Sequence, residues 1–386
     1  MNTVFFRHLH ALLGPRACVL MAALLCVGTS ASAQRPRPKP IDSPVVHADR
    51  KVTFALRAPN ARSVELSGQF IKGNQPLVNN GEGIWSITFG PVEPNLYPYN
   101  FVVDGLGVAD PANQYVFPNE RFQSSLLDIP GNQSVPYAVR EVPHGEVTYS
   151  TYHSKTLGTP RPLLVYTPPG YRQSNERYPV FYLVSGTTDT EETWYKVGKV
   201  NVIMDNLIAE KKAVPMIVVM PYGNMMMPAP NPSSPQAAEM YDKFNEELVA
   251  NIMPFIESNY RVAADREKRA IAGFSRGGGQ SLFAGFKNLD KFAHIGSYAA
   301  FLSPEVFQTH FPELAVKPEE TNQRLRLLWL GVGTEDFLYK PASEFEAFLK
   351  EKGIKHTSVE TGGGHTWMNA RDYLTQTLQL FFREAK

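Results

Sequence analysis

One serine of this chain stands in a pattern that is typical of an enzyme nucleophile. Ser275 lies in the pentad Gly273-Phe274-Ser275-Arg276-Gly277, between an apolar run at 269–272 and a stretch at 280–286 with helical periodicity. In a G-x-S-x-G nucleophile elbow, a strand turns sharply into a helix and lifts the serine hydroxyl above the sheet. The glycines permit the close approach of the two elements. A glycine-rich turn is the alternative interpretation, but the flanking strand and helix patterns favour a nucleophile.

A serine hydroxyl is a weak nucleophile unless a positioned base removes its proton. Asp336 follows an apolar run at 325–331, and His365 follows the next strand-like run at 357–360. Both therefore lie where parallel strands end, at the edge of a doubly wound sheet where sites gather. The order Ser275, Asp336, His365 is that of α/β-hydrolases. It predicts a triad in which Asp336 fixes the tautomer of the base His365.

Each member of the predicted pair has an alternative. Glu335 competes with Asp336 as the acid, although a residue one position earlier is expected to point elsewhere. His365 could instead be an exposed loop histidine, but its position between glycines and Trp367 at the end of a strand favours catalysis.

The oxyanion formed during acyl transfer needs two backbone N–H donors. The N–H of Arg276, next to the nucleophile, is one candidate, and the N–H of Thr187, after the strand at 178–184, is the other. Trp367 is a candidate substrate contact, as are Met225 and Met226 in the long loop 224–236, because adaptable methionines suit an acyl pocket. The alternative for that loop is a surface segment without function.

Two fold classes follow each other along the chain. Residues 44–130 carry short alternating strands separated by turn residues, which predicts an all-β immunoglobulin-like sandwich. Residues 131–143 form a junction. From 144 to 386 apolar strands alternate with helices, which predicts an α/β-hydrolase domain with a doubly wound, mostly parallel sheet.

The first 33 residues resemble a targeting segment. Arg7 and Arg16 precede or flank an apolar run at 17–27, and Ala31-Ser32-Ala33 is a cleavage site of the A-x-A type. A signal peptide over 1–33 and a linker over 34–43 predict a secreted or periplasmic protein without a membrane anchor after cleavage, and a retained anchor is the alternative. The 2 cysteines lie inside this segment, which excludes disulfides and thiol chemistry in the mature protein.

Charge and composition exclude several classes of partner and cofactor. The chain has 38 basic and 37 acidic residues, a balance that indicates neither nucleic acid nor an anionic membrane. The histidines show no ligand spacing, so we expect neither a catalytic metal nor another cofactor. Nothing in the sequence indicates an oligomeric state.

Several of these motifs together resemble a known family. Tyr260-Arg261-Val262, the elbow, Gly333-Thr334-Glu335-Asp336-Phe337 and Gly363-Gly364-His365-Thr366-Trp367 are similar to the esterase D-type group, carbohydrate-esterase family one. That group contains feruloyl and acetylxylan esterases and is related to siderophore esterases. The chain departs from it at Ser185, where His is usual, and at Arg276, where Met is usual. Arg276 then pairs either with an anionic substrate group or with a nearby acid.

A second resemblance covers about residues 44–130. Asp104-Gly105 and Asp110-Pro111-Ala112-Asn113 resemble the pattern of early-set domains such as carbohydrate-binding module family 48. Four strand aromatics are candidates for stacking on a glycan, but strand aromatics more often belong to the core, which is the interpretation favoured here: Trp85, Tyr97, Tyr99 and Phe101.

The resemblance implies a function. It indicates a secreted serine carboxylester hydrolase that removes feruloyl or acetyl groups from plant cell-wall polysaccharide through an acyl-enzyme. Its partner would be an ester-substituted polysaccharide or oligosaccharide, or a small ester. Two alternatives stay open: an esterase for siderophores or other small molecules, and a carbohydrate-binding protein whose hydrolase domain is inactive.

Overall fold

The computed structural model describes residues 40–121, 124–131, 135–225, 230–231 and 234–383. The predicted signal peptide and most of the predicted linker lie outside these residues. So does Met226, one of the predicted substrate contacts.

Short strands between residues 45 and 129 form two antiparallel sheets that face each other. One sheet has the order β1-β2-β6-β5, and the other has the order β4-β3-β7-β8, with β9 also paired to β7. Alternating apolar residues of both sheets form a common core, as a sandwich requires. The strands are β1 (Val45–Val46), β2 (Val52–Arg57), β3 (Val64–Gly68), β4 (Gln75–Pro76), β5 (Val78–Asn79), β6 (Ile84–Phe89), β7 (Asn95–Val103), β8 (Leu106–Val108) and β9 (Ser125–Ile129).

The aromatic residues of the sandwich are mainly core residues, as favoured from the sequence. Tyr97, Tyr99 and Phe101 are buried, and the partly buried Trp85 donates its indole N–H to the carbonyl of Ala58. Tyr97, Tyr99 and Phe101 therefore pack inside the sandwich, and Trp85 is tied to the backbone at its edge.

The second region is built on a mixed eight-stranded sheet with the order β10-β11-β13-β12-β14-β15-β16-β17. Pairing is antiparallel among β10, β11 and β13 and parallel across the rest of the sheet. This confirms the predicted α/β class and its mostly parallel sheet. The strands are β10 (Glu146–Ser154), β11 (Thr159–Thr167), β12 (Val180–Val184), β13 (Ile217–Pro221), β14 (Arg269–Phe274), β15 (His294–Tyr298), β16 (Leu327–Gly333) and β17 (Thr357–Thr361).

The strand order reverses direction at β12. From β12 the chain passes first to β13 on one side and then to β14 on the other. In open α/β sheets, the crevice at the carboxyl ends of such a switch point is where ligands bind. The loops that leave β12 and β14 begin at Ser185 and Ser275, so the fold brings these two segments to that crevice.

Helices cover both faces of this sheet. One apolar core packs the sheet against α3, α5 and α9, and a separate core packs it against α2 and α10. Among the described residues no helix is long and apolar enough to cross a membrane. The helices are α1 (Thr193–Lys196), α2 (Val200–Ala209), α3 (Pro235–Glu247), α4 (Met253–Asn259), α5 (Arg276–Lys287), α6 (Pro304–His310), α7 (Pro312–Val316), α8 (Pro318–Arg324), α9 (Tyr339–Glu351) and α10 (Trp367–Leu378).

Candidate active site

Ser275 occupies a sharp, strained turn between β14 and α5. Its backbone has φ 56 and ψ −125, a conformation that L-residues rarely adopt. The N–H of Ser275 donates to the carbonyl of Tyr298 at 2.8 Å, which ties the turn to β15. Strained backbone of this kind persists only where the surroundings hold it, and such residues cluster at functional sites. The turn is thus the predicted elbow.

The glycines on either side of the serine are required by the packing. A Cβ on Gly277 would lie 2.3 Å from the carbonyl oxygen of Val184, and one on Gly273 would lie 2.5 Å from the carbonyl oxygen of Gly277. Real Cβ atoms do not approach so closely, so strand and helix can meet here only without side chains.

The structure joins His365 to Asp336. His365 Nδ1 lies 2.8 Å from Asp336 Oδ2, and Asp336 Oδ1 accepts from the N–H of Leu338 at 2.8 Å. The Asp336 side chain is fully buried, whereas Glu335, the alternative acid, is exposed. Because a carboxylate only accepts hydrogen bonds, it holds the proton on Nδ1 and leaves Nε2 as the basic nitrogen.

Two phenylalanines fix the plane of the His365 ring. Phe274 stacks on the imidazole with ring centroids 4.6 Å apart, and Phe337 packs against it at the same separation. Phe337 is itself largely exposed, so it covers the imidazole at the mouth of the site.

Ser275 and His365 line one cleft of about 530 Å³. Its other wall comes from the β-sandwich, and this contribution is not predictable from the sequence because these residues carry no local motif. The sandwich residues at the cleft are Gln69, Pro98, Phe117, Asn119, Arg121 and Ser124.

A smaller cavity of about 130 Å³ lies on another side of Ser275. Its walls are mainly apolar, with the hydroxyl-bearing ring of Tyr241 among them. Of the predicted loop 224–236, Pro230 is the described residue that lines this cavity. The remaining apolar walls come from Met240, Ala300, Phe301, Phe337 and Leu338.

The two predicted oxyanion donors lie at the nucleophile. Thr187 lines both cavities, and its N–H has no protein acceptor among the described residues. Arg276 is the first residue of α5, where backbone N–H groups have no intrahelical partner. Both N–H groups are thus available to a bound oxygen.

The Arg276 side chain turns inward beneath the loop that contains Thr187. Its Nη2 donates to the carbonyl of Gly186 at 2.7 Å, and burial lowers the pKa of Arg276 to about 10. Burial also raises the pKa of Asp189 to about 7, an effect that the Arg276 cation opposes. The acceptor of the Arg276 guanidinium is thus a backbone carbonyl, and the acid Asp189 acts on it through its charge.

Of two predicted substrate contacts, Trp367 lines the larger cleft and Met225 lines neither cavity. Met225 does not line either cavity, because its sulfur lies 3.7 Å from Arg161 Nη2 and its side chain packs on the core. Trp367 lies at the base of the larger cleft but is only 3% exposed, since it packs against Trp194, Phe274 and Phe117. Its main contact is therefore with the protein.

Among the described residues, no group of three or more His, Cys, Asp or Glu side chains is arranged to hold a metal ion. Ser275 and the Asp336–His365 pair, which share one cleft, support nucleophilic attack by a hydroxyl assisted by an imidazole–carboxylate pair.

Comparison with known proteins shows which family the chain matches. The esterase family profile matches residues 154–381, more than half of the chain. An endo-1,4-beta-xylanase/feruloyl esterase of Xylanibacter ruminicola is 30% identical over 348 residues, which cover 88% of this chain and 46% of that protein. The chain thus spans about half the length of that relative.

Solved structures agree on the fold. A ferulic acid esterase, 28% identical, superposes with a TM-score of 0.53 over 62% of this chain and 98% of its own. The enterobactin esterase of Shigella flexneri, 17% identical, gives a TM-score of 0.63 over 86% of this chain and 92% of its own. The second match extends over more of the chain than residues 144–386 and so includes part of the sandwich. These findings confirm the predicted resemblance and the enzyme class, carboxylic ester hydrolase.

Proposed function

The chain belongs to the esterase family, and from that membership we propose that it is an exported serine esterase that releases feruloyl or acetyl groups from plant cell-wall polysaccharide. The observation that carries the proposal is the buried Asp336–His365 pair, which opens on the same cleft as the strained Ser275. Export rests on the targeting pattern of residues 1–33 alone.

The proposed reaction proceeds through an acyl-enzyme. Ser275 Oγ attacks the ester carbonyl carbon while His365 Nε2 takes its proton, and Asp336 stabilises the resulting imidazolium. The oxyanion accepts from the N–H groups of Arg276 and Thr187. His365 then protonates the departing sugar oxygen as the C–O bond breaks. Water, activated by the same imidazole, hydrolyses the acyl-enzyme.

The shapes of the two cavities favour an aromatic acyl group. The smaller cavity, of about 130 Å³, has buried apolar walls at Met240, Tyr241 and Phe301. An apolar protein cavity of about 150 Å³ holds one benzene ring, so a single phenyl ring matches this space better than an acetyl group does. The larger and more polar cleft is left for the alcohol part of the ester.

The proposal is tested by comparing the wild type with Ser275→Ala on methyl ferulate, acetylated xylan and a catecholate siderophore. We expect the wild type to prefer methyl ferulate and Ser275→Ala to lose at least about 10³-fold in kcat. The matched control is Ser258→Ala, an exposed serine outside both cavities, which should keep wild-type rates.

Three outcomes contradict parts of this proposal. Equal rates for the wild type and Ser275→Ala would leave the chain as a carbohydrate-binding protein with an inactive hydrolase domain. A preference for the siderophore would replace the polysaccharide substrate with a small ester. A preference for acetylated xylan would overturn the aromatic acyl group.

A further inference from the structure

One peptide group beside the nucleophile is held by hydrogen bonds to its carbonyl. The carbonyl of Gly186 and the N–H of Thr187 belong to the same peptide, which is trans. In a trans peptide the C=O and N–H point in opposite directions. Arg276 Nη2 donates to that carbonyl at 2.7 Å and the N–H of Asp189 donates to it at 3.3 Å, so these two contacts fix the direction in which the Thr187 N–H points.

The burial of Arg276 is costly and needs an explanation. The residue is only 5% exposed, and its Nε and Nη1 have no hydrogen-bond partner among the described residues. A buried cation with unpaired donors is unfavourable for folding. Within the described part of the chain, the one acceptor of the guanidinium is the Gly186 carbonyl, and we therefore take the hold on this carbonyl to be the role of the buried cation.

A loop of the β-sandwich holds the same segment from the other side. Asn119 Nδ2 donates to Asp189 Oδ1 at 3.1 Å, and the N–H of Glu120 donates to the carbonyl of Thr188 at 2.8 Å. Asp189 Oδ2 in turn accepts from the N–H of Gly186 at 3.1 Å. Because Asp189 also donates its own N–H to the Gly186 carbonyl at 3.3 Å, the sandwich loop reaches the Gly186–Thr187 peptide through Asp189.

The backbone of the held segment is strained. Thr188 has φ 65, which is unfavourable for a β-branched residue. Such a conformation persists only where neighbouring contacts impose it. Here the contacts come from the sandwich at Glu120 and Asn119 and from the hydrolase part at Arg276.

We propose that the Arg276 side chain and the sandwich residues Asn119 and Glu120 are positioning residues that hold the Thr187 N–H in its oxyanion-binding direction. The inference rests on the proposed function, since it takes Thr187 as an oxyanion donor. Under this inference the β-sandwich contributes to catalysis, because its loop helps to orient an oxyanion donor of the hydrolase part. The inference also gives a role to a residue at which this chain departs from the family it resembles.

The hydrogen bond from Arg276 to the Gly186 carbonyl is expected to stabilise the transition state and not the bound substrate. A cationic donor on the carbonyl polarises the peptide and strengthens its N–H as a donor. The oxyanion exists only after attack, so loss of the contacts that hold the Gly186–Thr187 peptide lowers kcat and leaves KM nearly unchanged. A role in folding alone would not produce this separation.

The experiment measures kcat and KM for methyl ferulate with four variants and one double variant. We expect Arg276→Met to lose about 10²-fold in kcat, as for an oxyanion donor, with KM changed less than about threefold. Arg276→Lys, which keeps a cationic donor, should recover at least about tenfold of that loss. Asn119→Ala should lose about tenfold in kcat. Its matched control, Asn74→Ala, replaces an exposed asparagine of the sandwich and should lose no activity.

The double variant Arg276→Met/Asn119→Ala tests whether both residues act on one peptide. We expect the double variant to lose less kcat than the product of the two single losses, because the second substitution acts on a peptide whose orientation the first has already freed. Circular dichroism establishes folding, and if Arg276→Met does not fold, Arg276→Lys and Asn119→Ala decide the question.

The failures are distinguishable. A wild type that hydrolyses methyl ferulate in a Ser275-dependent way, with undiminished kcat in Arg276→Met and Asn119→Ala, overturns this inference alone. Losses that fall on KM with kcat unchanged do the same. A wild type inactive on every ester overturns the proposed function and this inference with it.

Discussion

At the scale of single residues, the orientation of His365 depends on both oxygens of Asp336. Oδ2 accepts from His365 Nδ1, and Oδ1 accepts from the N–H of Leu338. The carboxylate is fully buried, so water does not compete for these two bonds. An amide in its place would have to keep its oxygen toward Leu338 and direct its NH₂ at the imidazole.

Asp336→Asn is therefore predicted to reverse the tautomer of His365. With an NH₂ group facing Nδ1, the proton moves to Nε2, which can then no longer accept the Ser275 proton. We expect a loss of about 10⁴-fold in kcat on a chromogenic acetate at pH 7.5, with little change in unfolding temperature.

The matched control is Glu335→Gln, the neighbouring exposed acid, which should keep wild-type kcat. Wild-type activity in Asp336→Asn, or a large loss in Glu335→Gln, would contradict the assignment of the acid to position 336.

At the scale of elements, the sequence predicts what is encoded locally. The elbow needs one pentad, and the acid and base each follow a strand, so Ser275, Asp336 and His365 could be found from pattern and order. The cleft wall at Asn119 and the Gly186 contact of Arg276 depend on pairings between distant parts of the chain. No local motif reports such pairings, which is why the sequence left the partner of Arg276 open.

Loop 224–236 is a second case in which a local pattern does not predict a contact between distant parts of the chain. Methionines near a strand end suit an acyl pocket, but Met225 contacts Arg161, a residue on β11 whose position follows from the sheet order. Met240, on α3, lines the pocket instead. Strand β15 is likewise not predicted, because His294-Ile295-Gly296-Ser297-Tyr298 lacks an apolar run or alternation.

That strand contains a buried histidine with a predictable pH effect. His294 is 3% exposed, its Nε2 lies 3.2 Å from the carbonyl of Glu267, and its Nδ1 has no partner among the described residues. With Nε2–H donating to that carbonyl, protonation of Nδ1 would bury an unpaired donor. Burial lowers the pKa of His294 to about 4, while nearby Glu267 opposes and Arg266 and Arg326 support the shift.

The sign of the stability effect follows. An unfolded histidine has a pKa near 6.5, so between pH 6.5 and 4 the unfolded state binds more protons than the folded state. The contribution of His294 is fully present above pH 6.5 and is lost as the pH falls toward 4, by about 3 kcal/mol in total. His294→Asn, which does not titrate, should flatten this part of the stability curve.

The measurement is urea unfolding of the wild type and His294→Asn at pH 4.5, 5.5, 6.5 and 7.5. Other groups titrate in both proteins, so the difference between the two curves isolates position 294. His310→Asn, the same substitution at an exposed histidine, is the control for the change of side chain. Parallel curves for the wild type and His294→Asn would contradict the expectation.

At the scale of the whole molecule, one buried arginine joins the sandwich to the hydrolase part. Arg371, on α10, donates to the carbonyl of Val197 in the hydrolase part, at 2.8 Å. It also donates to Asn95 Oδ1 at 2.6 Å and to the carbonyl of Leu96 at 2.8 Å, both on sandwich strand β7. Burial lowers the pKa of Arg371 to about 10, so it stays charged at neutral pH.

Arg371→Met is predicted to loosen this connection. The substitution keeps much of the side-chain volume but leaves three acceptors without their donor, at a cost of about 1 kcal/mol each and about 3 kcal/mol in total. Because the lost bonds connect the two parts, we expect the urea transition to move to lower urea concentration and to split into two transitions. Unfolding is measured by fluorescence and circular dichroism on the same samples.

The control is Arg383→Met, at an exposed arginine whose guanidinium donates to the carbonyl of Lys211. Its free energy of unfolding should stay within about 0.5 kcal/mol of the wild-type value. If Arg371→Met unfolds in one transition at the midpoint of that control, the sandwich is held to the hydrolase part by its apolar contacts and not by this arginine.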